Sequence, residues 1–218
     1  MIRGVIFDAD GVLLDSMAIW EEAGERYLRK QGREPEPRLG RTLFAMTVQE
    51  AAQYLKETYA ISLGIQEIAA GILETVNDFY LYEVQLKPGV SEFLEALKQK
   101  GIQAAVATSS EKSQIEQAFQ RLGIRKYFQG IATCTEAGAG KTEPAVYEMA
   151  RNMLGTEVKE TAVAEDSLYA LLTAKRAGYP TVGIYDPFSE EDQEELKRQA
   201  DLYLPDLRNE KRFWDCFL

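Results

Sequence analysis

Two hydrophobic periods divide this chain. The first apolar run, Ile2 to Phe7, is short and rich in β-branched residues, and stops abruptly at Asp8 with a second aspartate at Asp10. That pattern predicts a buried strand with two carboxylates just past its end. From Met17 the spacing becomes helical: Met17, Ile19, Trp20, Ala23, Tyr27 and Leu28 predict a helix to Lys30, with Asp15-Ser16 as its cap. Gly32, Pro35 and Pro37 end it. A second helix is predicted over Thr47–Tyr59, where Thr47 and Glu50 have capping-box spacing. A third covers Ile65–Tyr82. No strand-like run interrupts these helices, so residues 15–84 read as an all-helical insert.

After the turn Lys87-Pro88-Gly89, helices and strands alternate. Helices are predicted over Val90–Lys100, Glu111–Leu122, Glu143–Leu154, Leu168–Ala177 and Ser189–Gln199. Strands are predicted at Gln103–Ala107, around Ile131–Thr133, at Thr161–Ala164, Pro180–Tyr185 and Leu202–Leu204. Repeated β-α-β units predict an α/β fold, a doubly wound, Rossmann-like parallel sheet. The core would comprise residues 1–14 and 85–218, and the helical cap residues 15–84.

Composition narrows the chemistry. The chain has 218 residues and a net charge of −10, which argues against a nucleic-acid or anionic-membrane partner. It has no histidine, which excludes Ser-His-Asp and Cys-His catalysis and histidine-based zinc sites. Its two cysteines, Cys134 and Cys216, make no disulfide framework and suit a reducing cytoplasm. No apolar run approaches the roughly 18 residues of a membrane span. Monomer is the default expectation.

In a doubly wound sheet, ligands bind beyond the carboxyl ends of the strands. Asp8 and Asp10 follow the first strand, Thr108-Ser109 the second, and Glu165-Asp166 the fourth; Lys141 follows the glycine-rich Gly138–Gly140. Two like charges about 4 Å apart cost roughly 4 kcal/mol at an effective dielectric near 20. Four carboxylates at one rim therefore call for a hard cation, and all-oxygen donors favour Mg²⁺. The cation, Lys141 and the donors of Thr108 and its neighbours suit a phosphoryl group. Ionised Asp8 can then attack phosphorus, while Asp10 protonates the leaving oxygen and later deprotonates water.

Asp8-Ala9-Asp10-Gly11-Val12-Leu13-Leu14-Asp15-Ser16, Thr108-Ser109, Lys141 and Glu165-Asp166-Ser167 resemble, in order, the four motifs of the haloacid dehalogenase superfamily. The helical insert resembles the small cap of the subgroup that includes β-phosphoglucomutase and phosphoglycolate phosphatase. The resemblance implies that Asp8 becomes aspartyl-phosphate, that Thr108 and Ser109 hold the phosphate, and that Lys141 bridges it to the nucleophile. It further implies Mg²⁺ on Asp8, the Asp10 carbonyl and Asp166, with Glu165 binding directly or through water. Asp10 is unlike the dehalogenase branch, which lacks it. The sugar phosphomutases carry a cap histidine where this chain reads Met17-Ala18-Ile19-Trp20, and a cap arginine that aligns with Val48; Arg41 is nearby. The expected activity is hydrolysis of a small phosphorylated metabolite. Sugar phosphomutase is the alternative, and a phospho-accepting switch or a non-catalytic binding protein the lesser ones.

Each residue also has a plainer reading. Thr108-Ser109 alone would more often cap a helix, Lys141 would be a solvated lysine, and Trp20 and Phe44 would be cap core rather than pocket. Lys141-Thr142-Glu143-Pro144 departs from the family's usual Lys-Pro-x-Pro, although Pro144 suits a first helical turn.

Overall fold

A computed structural model describes every residue except Ala45. The chain divides into two compact units, Met1–Asp15 with Gln85–Leu218, and Ser16–Val84.

The first unit holds six strands: β1 (Gly4–Phe7), β2 (Gln103–Thr108), β3 (Phe128–Thr133), β4 (Thr161–Glu165), β5 (Thr181–Ile184) and β6 (Leu202–Leu204). All pair in parallel, in the order β3-β2-β1-β4-β5-β6. The order reverses between β1 and β4, so the crevice of this doubly wound sheet opens beyond those two strands. Their register pairs Phe7 with Ala164, which sets Asp8 beside Glu165. The helices of this unit, numbered after the four of the second unit, are α5 (Val90–Gln99), α6 (Lys112–Arg121), α7 (Cys134–Ala137), α8 (Ala145–Leu154), α9 (Leu168–Arg176), α10 (Gln193–Gln199) and α11 (Glu210–Phe217).

The strands are buried nearly throughout, as parallel strands covered on both faces must be. Ile6, Ala105, Ala107 and Val163 pack with Val146, Tyr147 and Ala150 of α8. The next residue along β1, Phe7, takes part in aromatic packing instead, edge-on to Phe93 and Phe128 at 6.1 and 6.3 Å. Trp214 of α11 stacks on Phe93 at 5.7 Å.

The second unit is helical, as its spacing predicts: α1 (Ala18–Lys30), α2 (Leu39–Phe44), α3 (Val48–Thr58) and α4 (Ile65–Asp78), the last running into a π-helical turn, Phe79–Glu83. Its buried face is drawn from Ile19, Ala23, Tyr27, Leu55, Ile68 and Val76. Gly71 permits close approach, since a Cβ there would lie 2.3 Å from the Tyr27 ring. Thr47 and Glu50 form the expected capping box. Asp15-Ser16 does not cap α1: the N-cap is Met17, with no side-chain hydrogen bond. Three further differences are additions, α2, α7 and α11, all of eight residues or fewer. Another is that α8 starts at Ala145 with Pro144 as its N-cap, not at Glu143.

The chain leaves and re-enters the first unit side by side. Asp15 N–H donates to the Gln85 carbonyl at 2.9 Å, Lys87 N–H to the Leu13 carbonyl at 2.9 Å, and Leu14 bridges Leu86 antiparallel. Among the described residues, no helix is long and apolar enough to cross a membrane.

Candidate active site

The loop after β1 is built tightly. Leu13 and Leu14 N–H groups both reach the Ala9 carbonyl, and Gly11 N–H reaches the Leu14 carbonyl. Gly11 sits at φ +77°, and a Cβ there would lie 2.4 Å from Asp166 Oδ2. Only glycine lets this turn press against the loop after β4.

Asp8, Lys141, Glu165 and Asp166 converge at the switch point. Lys141 Nζ lies 2.6 Å from Asp8 Oδ1 and 2.9 Å from Glu165 Oε1, and all three residues are less than 10 % exposed. Asp8 Oδ1 also accepts from Ala9 N–H at 2.7 Å. One oxygen from each of Asp8, Glu165 and Asp166 falls within a 4.8 Å cluster. Lys141 is therefore no solvated lysine.

The charges do not balance within this group. Burial works against the Lys141 ammonium, but Asp8 and Glu165 outweigh it and hold the lysine charged well above the ordinary range. Burial raises the Asp8 carboxyl, Lys141 opposes it and Asp10 adds to it. Burial raises Glu165 well above a normal carboxylate, with Asp8 and Asp166 adding and Lys141 opposing. Asp166 is pushed up to about 7 by burial, then by Asp8, with Lys141 opposing. Three buried carboxylates thus share one ammonium, and Glu165 Oε2 is buried without a hydrogen-bond partner. An all-oxygen set short of positive charge, with one buried oxygen left without a partner, fits a hard divalent cation.

Asp10 stands apart from this cluster in chemistry. It is half-buried, and Ser110 Oγ donates to its Oδ2 at 2.5 Å. Thr108, fully buried, accepts from Ser110 N–H through Oγ1 at 3.0 Å. Ser109 is exposed and pairs with Cys134 Sγ at 3.4 Å. Neither Thr108 nor Ser109 caps α6, whose N-cap is Glu111.

Three participants were not singled out from the sequence. Ser110 adjoins the Thr108-Ser109 pair, so adjacency was its signal. Tyr147 OH donates to Glu165 Oε1 at 2.8 Å; its signal was a hydroxyl on the buried face of α8. Burial, then Glu165, raises the phenol and keeps it a donor. In the sequence Lys87 stands only as part of the turn Lys87-Pro88-Gly89. Its Nζ donates to the Gly11 carbonyl at 2.6 Å, the Tyr185 carbonyl at 2.7 Å and Asp186 Oδ2 at 2.8 Å, tying the β1 loop to the β5 loop. Trp20 and Phe44 belong to the helical unit and are 38 % and 50 % exposed.

Known proteins resemble this chain in sequence and in fold. The sequence model for haloacid dehalogenase-like hydrolases matches residues 5–184. A phosphorylated carbohydrates phosphatase of Thermotoga maritima is 29 % identical over 177 residues, covering 81 % of this chain and 82 % of that one. A phosphoglycolate phosphatase of Yersinia pseudotuberculosis is 28 % identical over 190 residues, covering 84 % and 81 %. A solved Thermotoga maritima structure, provisionally named a β-phosphoglucomutase, superposes with a TM-score of 0.87 at 25 % identity over the whole of both chains.

Proposed function

The chain belongs to the haloacid dehalogenase-like hydrolase family, and on that premise we propose that it is a Mg²⁺-dependent phosphatase of small phosphorylated metabolites that works through an aspartyl-phosphate on Asp8. The observation that carries the reading is the Asp8–Lys141 pair, 2.6 Å apart and buried at the sheet's switch point. Lys141 and the Ala9 N–H hold Oδ1, which orients Oδ2 as the attacking atom. Mg²⁺ would be held by Asp8, the Asp10 carbonyl and Asp166, with Glu165 close by; when bound it supplies positive charge that offsets the carboxylates and the phosphate.

Asp8 forms a bond to phosphorus as the ester P–O bond breaks, and the leaving oxygen takes the Asp10 proton. Asp10 then accepts a proton from water, whose oxygen displaces Asp8 and releases inorganic phosphate. Ser110 keeps Asp10 oriented through its 2.5 Å hydrogen bond. Thr108, Ser109 and Lys141 are assigned to the phosphate oxygens. The helical unit serves as the cap, and its Met17-Ala18-Ile19-Trp20 stretch and Val48, where the phosphomutases carry a histidine and an arginine, favour water as the final acceptor. The two free cysteines suit the cytoplasm, and the protein is taken as a monomer.

With p-nitrophenyl phosphate and Mg²⁺, the wild-type protein should release phosphate and Asp8→Asn should not. Equal, slow release by both would overturn the reading. The likeness to a structure named a β-phosphoglucomutase favours one second reading, sugar phosphomutase. Conversion of a hexose 1-phosphate to its 6-phosphate faster than hydrolysis would select it.

A further inference from the structure

The helical unit contains a cavity of about 290 Å³. All four of its helices contribute walls: Trp20 from α1, Leu43 and Phe44 from α2, Val48 from α3, and Ile72 and Leu73 from α4. Small side chains, Ala23 and Ala51, leave the space. None of the described lining residues carries a charge, and Met17 and Met46 add adaptable thioether surface.

The exposure pattern around it is unusual. Trp20 is 38 % exposed, Phe44 50 % and Leu73 48 %, three large apolar side chains left open around one hole. Scattered exposed apolar residues need no explanation, but a cluster lining a concavity marks a binding site. A dry apolar cavity of about 150 Å³ suffices to bind benzene. This one is about twice as large, room for two fused rings, and its walls from four helices make it a concavity rather than a flat face for another chain.

We propose that the helical unit carries a binding site for a neutral, ring-sized apolar group of a small molecule, seated against Trp20, Phe44 and Leu73. This rests on the geometry of the helical unit alone and does not depend on the phosphatase reading. Shape and apolar contact provide the selectivity: a polyhydroxylated group would lose its hydration among side chains whose one strong hydrogen-bonding group is the Trp20 indole N–H.

The probe is 1-naphthol, titrated calorimetrically into the full-length Asp8→Asn protein, with glycerol as the polar counterpart. Saturable one-to-one binding of 1-naphthol with a negative heat-capacity change, and none of glycerol, is expected. Val48→Asp puts a charge at the cavity wall, at the first position of α3, where an acidic residue suits the helix N-terminus. It should weaken binding at least about tenfold, an effect of about 1.4 kcal/mol. Phe44→Ser, at a half-exposed position, should do the same, while Tyr82→Ser, exposed and outside the cavity, should not. Circular dichroism checks that each variant is folded. Non-saturable heat, equal affinity in all three folded variants, or a Val48-dependent dimer that takes up no 1-naphthol would each overturn the proposal.

Discussion

Lys87 is a buried cation outside the catalytic cluster whose removal should be costly to the core. Its side chain is 10 % exposed and its partner Asp186 2 % exposed, with Nζ 2.8 Å from the carboxylate. At an effective dielectric near 20, that separation corresponds to about 6 kcal/mol of attraction before desolvation is subtracted. Lys87→Met leaves Asp186 buried beside no cation and deprives the Gly11 and Tyr185 carbonyls of a donor. Breaking a buried pair from one side typically costs about 3–5 kcal/mol, and that is the loss expected here. Asp186→Asn keeps an oxygen for the Phe188 N–H, which donates to Asp186 Oδ1 at 2.9 Å, and removes the charge. The double variant, Lys87→Met with Asp186→Asn, should therefore recover at least about 1.5 kcal/mol relative to the sum of the singles. Urea unfolding reads this directly in a Trp20→Phe background, because the remaining Trp214 belongs to the first unit, stacked on Phe93. A Lys87→Met loss below about 1 kcal/mol, or single effects that add within about 0.5 kcal/mol, would refute the argument.

Three further outcomes follow from the site. Tyr147→Phe removes a buried donor to Glu165 and should cost about 1.5–3 kcal/mol in chemical unfolding, the range for a hydrogen bond to a charged group. Gly11→Ala should cost about 1–3 kcal/mol through its left-handed backbone. By pushing on Asp166 it should also weaken Mg²⁺ about 10–100-fold, measured by calorimetric titration; unchanged affinity would mean that the contact is slack. Mg²⁺ at about 100 times its dissociation constant should add about 2.7 kcal/mol to stability. That is roughly 5–10 °C in melting temperature for a chain of this size. EDTA should reverse it and Asp166→Asn abolish it, and a shift that survives Asp166→Asn would contradict the assigned ligands.

What the sequence disclosed was whatever a short window can encode. β1 and β4 are continuous apolar runs that break on carboxylates, so both their buried character and the polar residues beyond them were visible. The capping box at Thr47 was readable because its two members are three residues apart. What escaped reading had long-range or weak local causes. Lys87 meets Asp186 across 99 positions, and nothing near Lys87-Pro88-Gly89 announces a buried ammonium. Leu39–Phe44 is a six-residue helix too short to display a period. Glu210–Phe217 is amphipathic but spans only eight residues, about two turns, so its period had little length in which to repeat. Tyr147 lay within a correctly expected helix, but its role depends on where Glu165 arrives from another strand.

The side-by-side crossing at Asp15 and Gln85 also determines what can be exchanged. The helical segment leaves and returns through hydrogen-bonded neighbours, so to the sheet it is an enlarged hairpin loop. Closing a long loop costs only slightly more entropy than closing a short one, about 0.6 kcal/mol per doubling. The six-stranded sheet therefore depends little on the length or content of what joins Asp15 to Gln85. A tight turn, or a helical unit from another protein with adjacent ends, can be spliced at this point without changing strand order or register. The protein is modular at this seam, where a different segment can be grafted while Asp8, Lys141 and Asp166 keep their places.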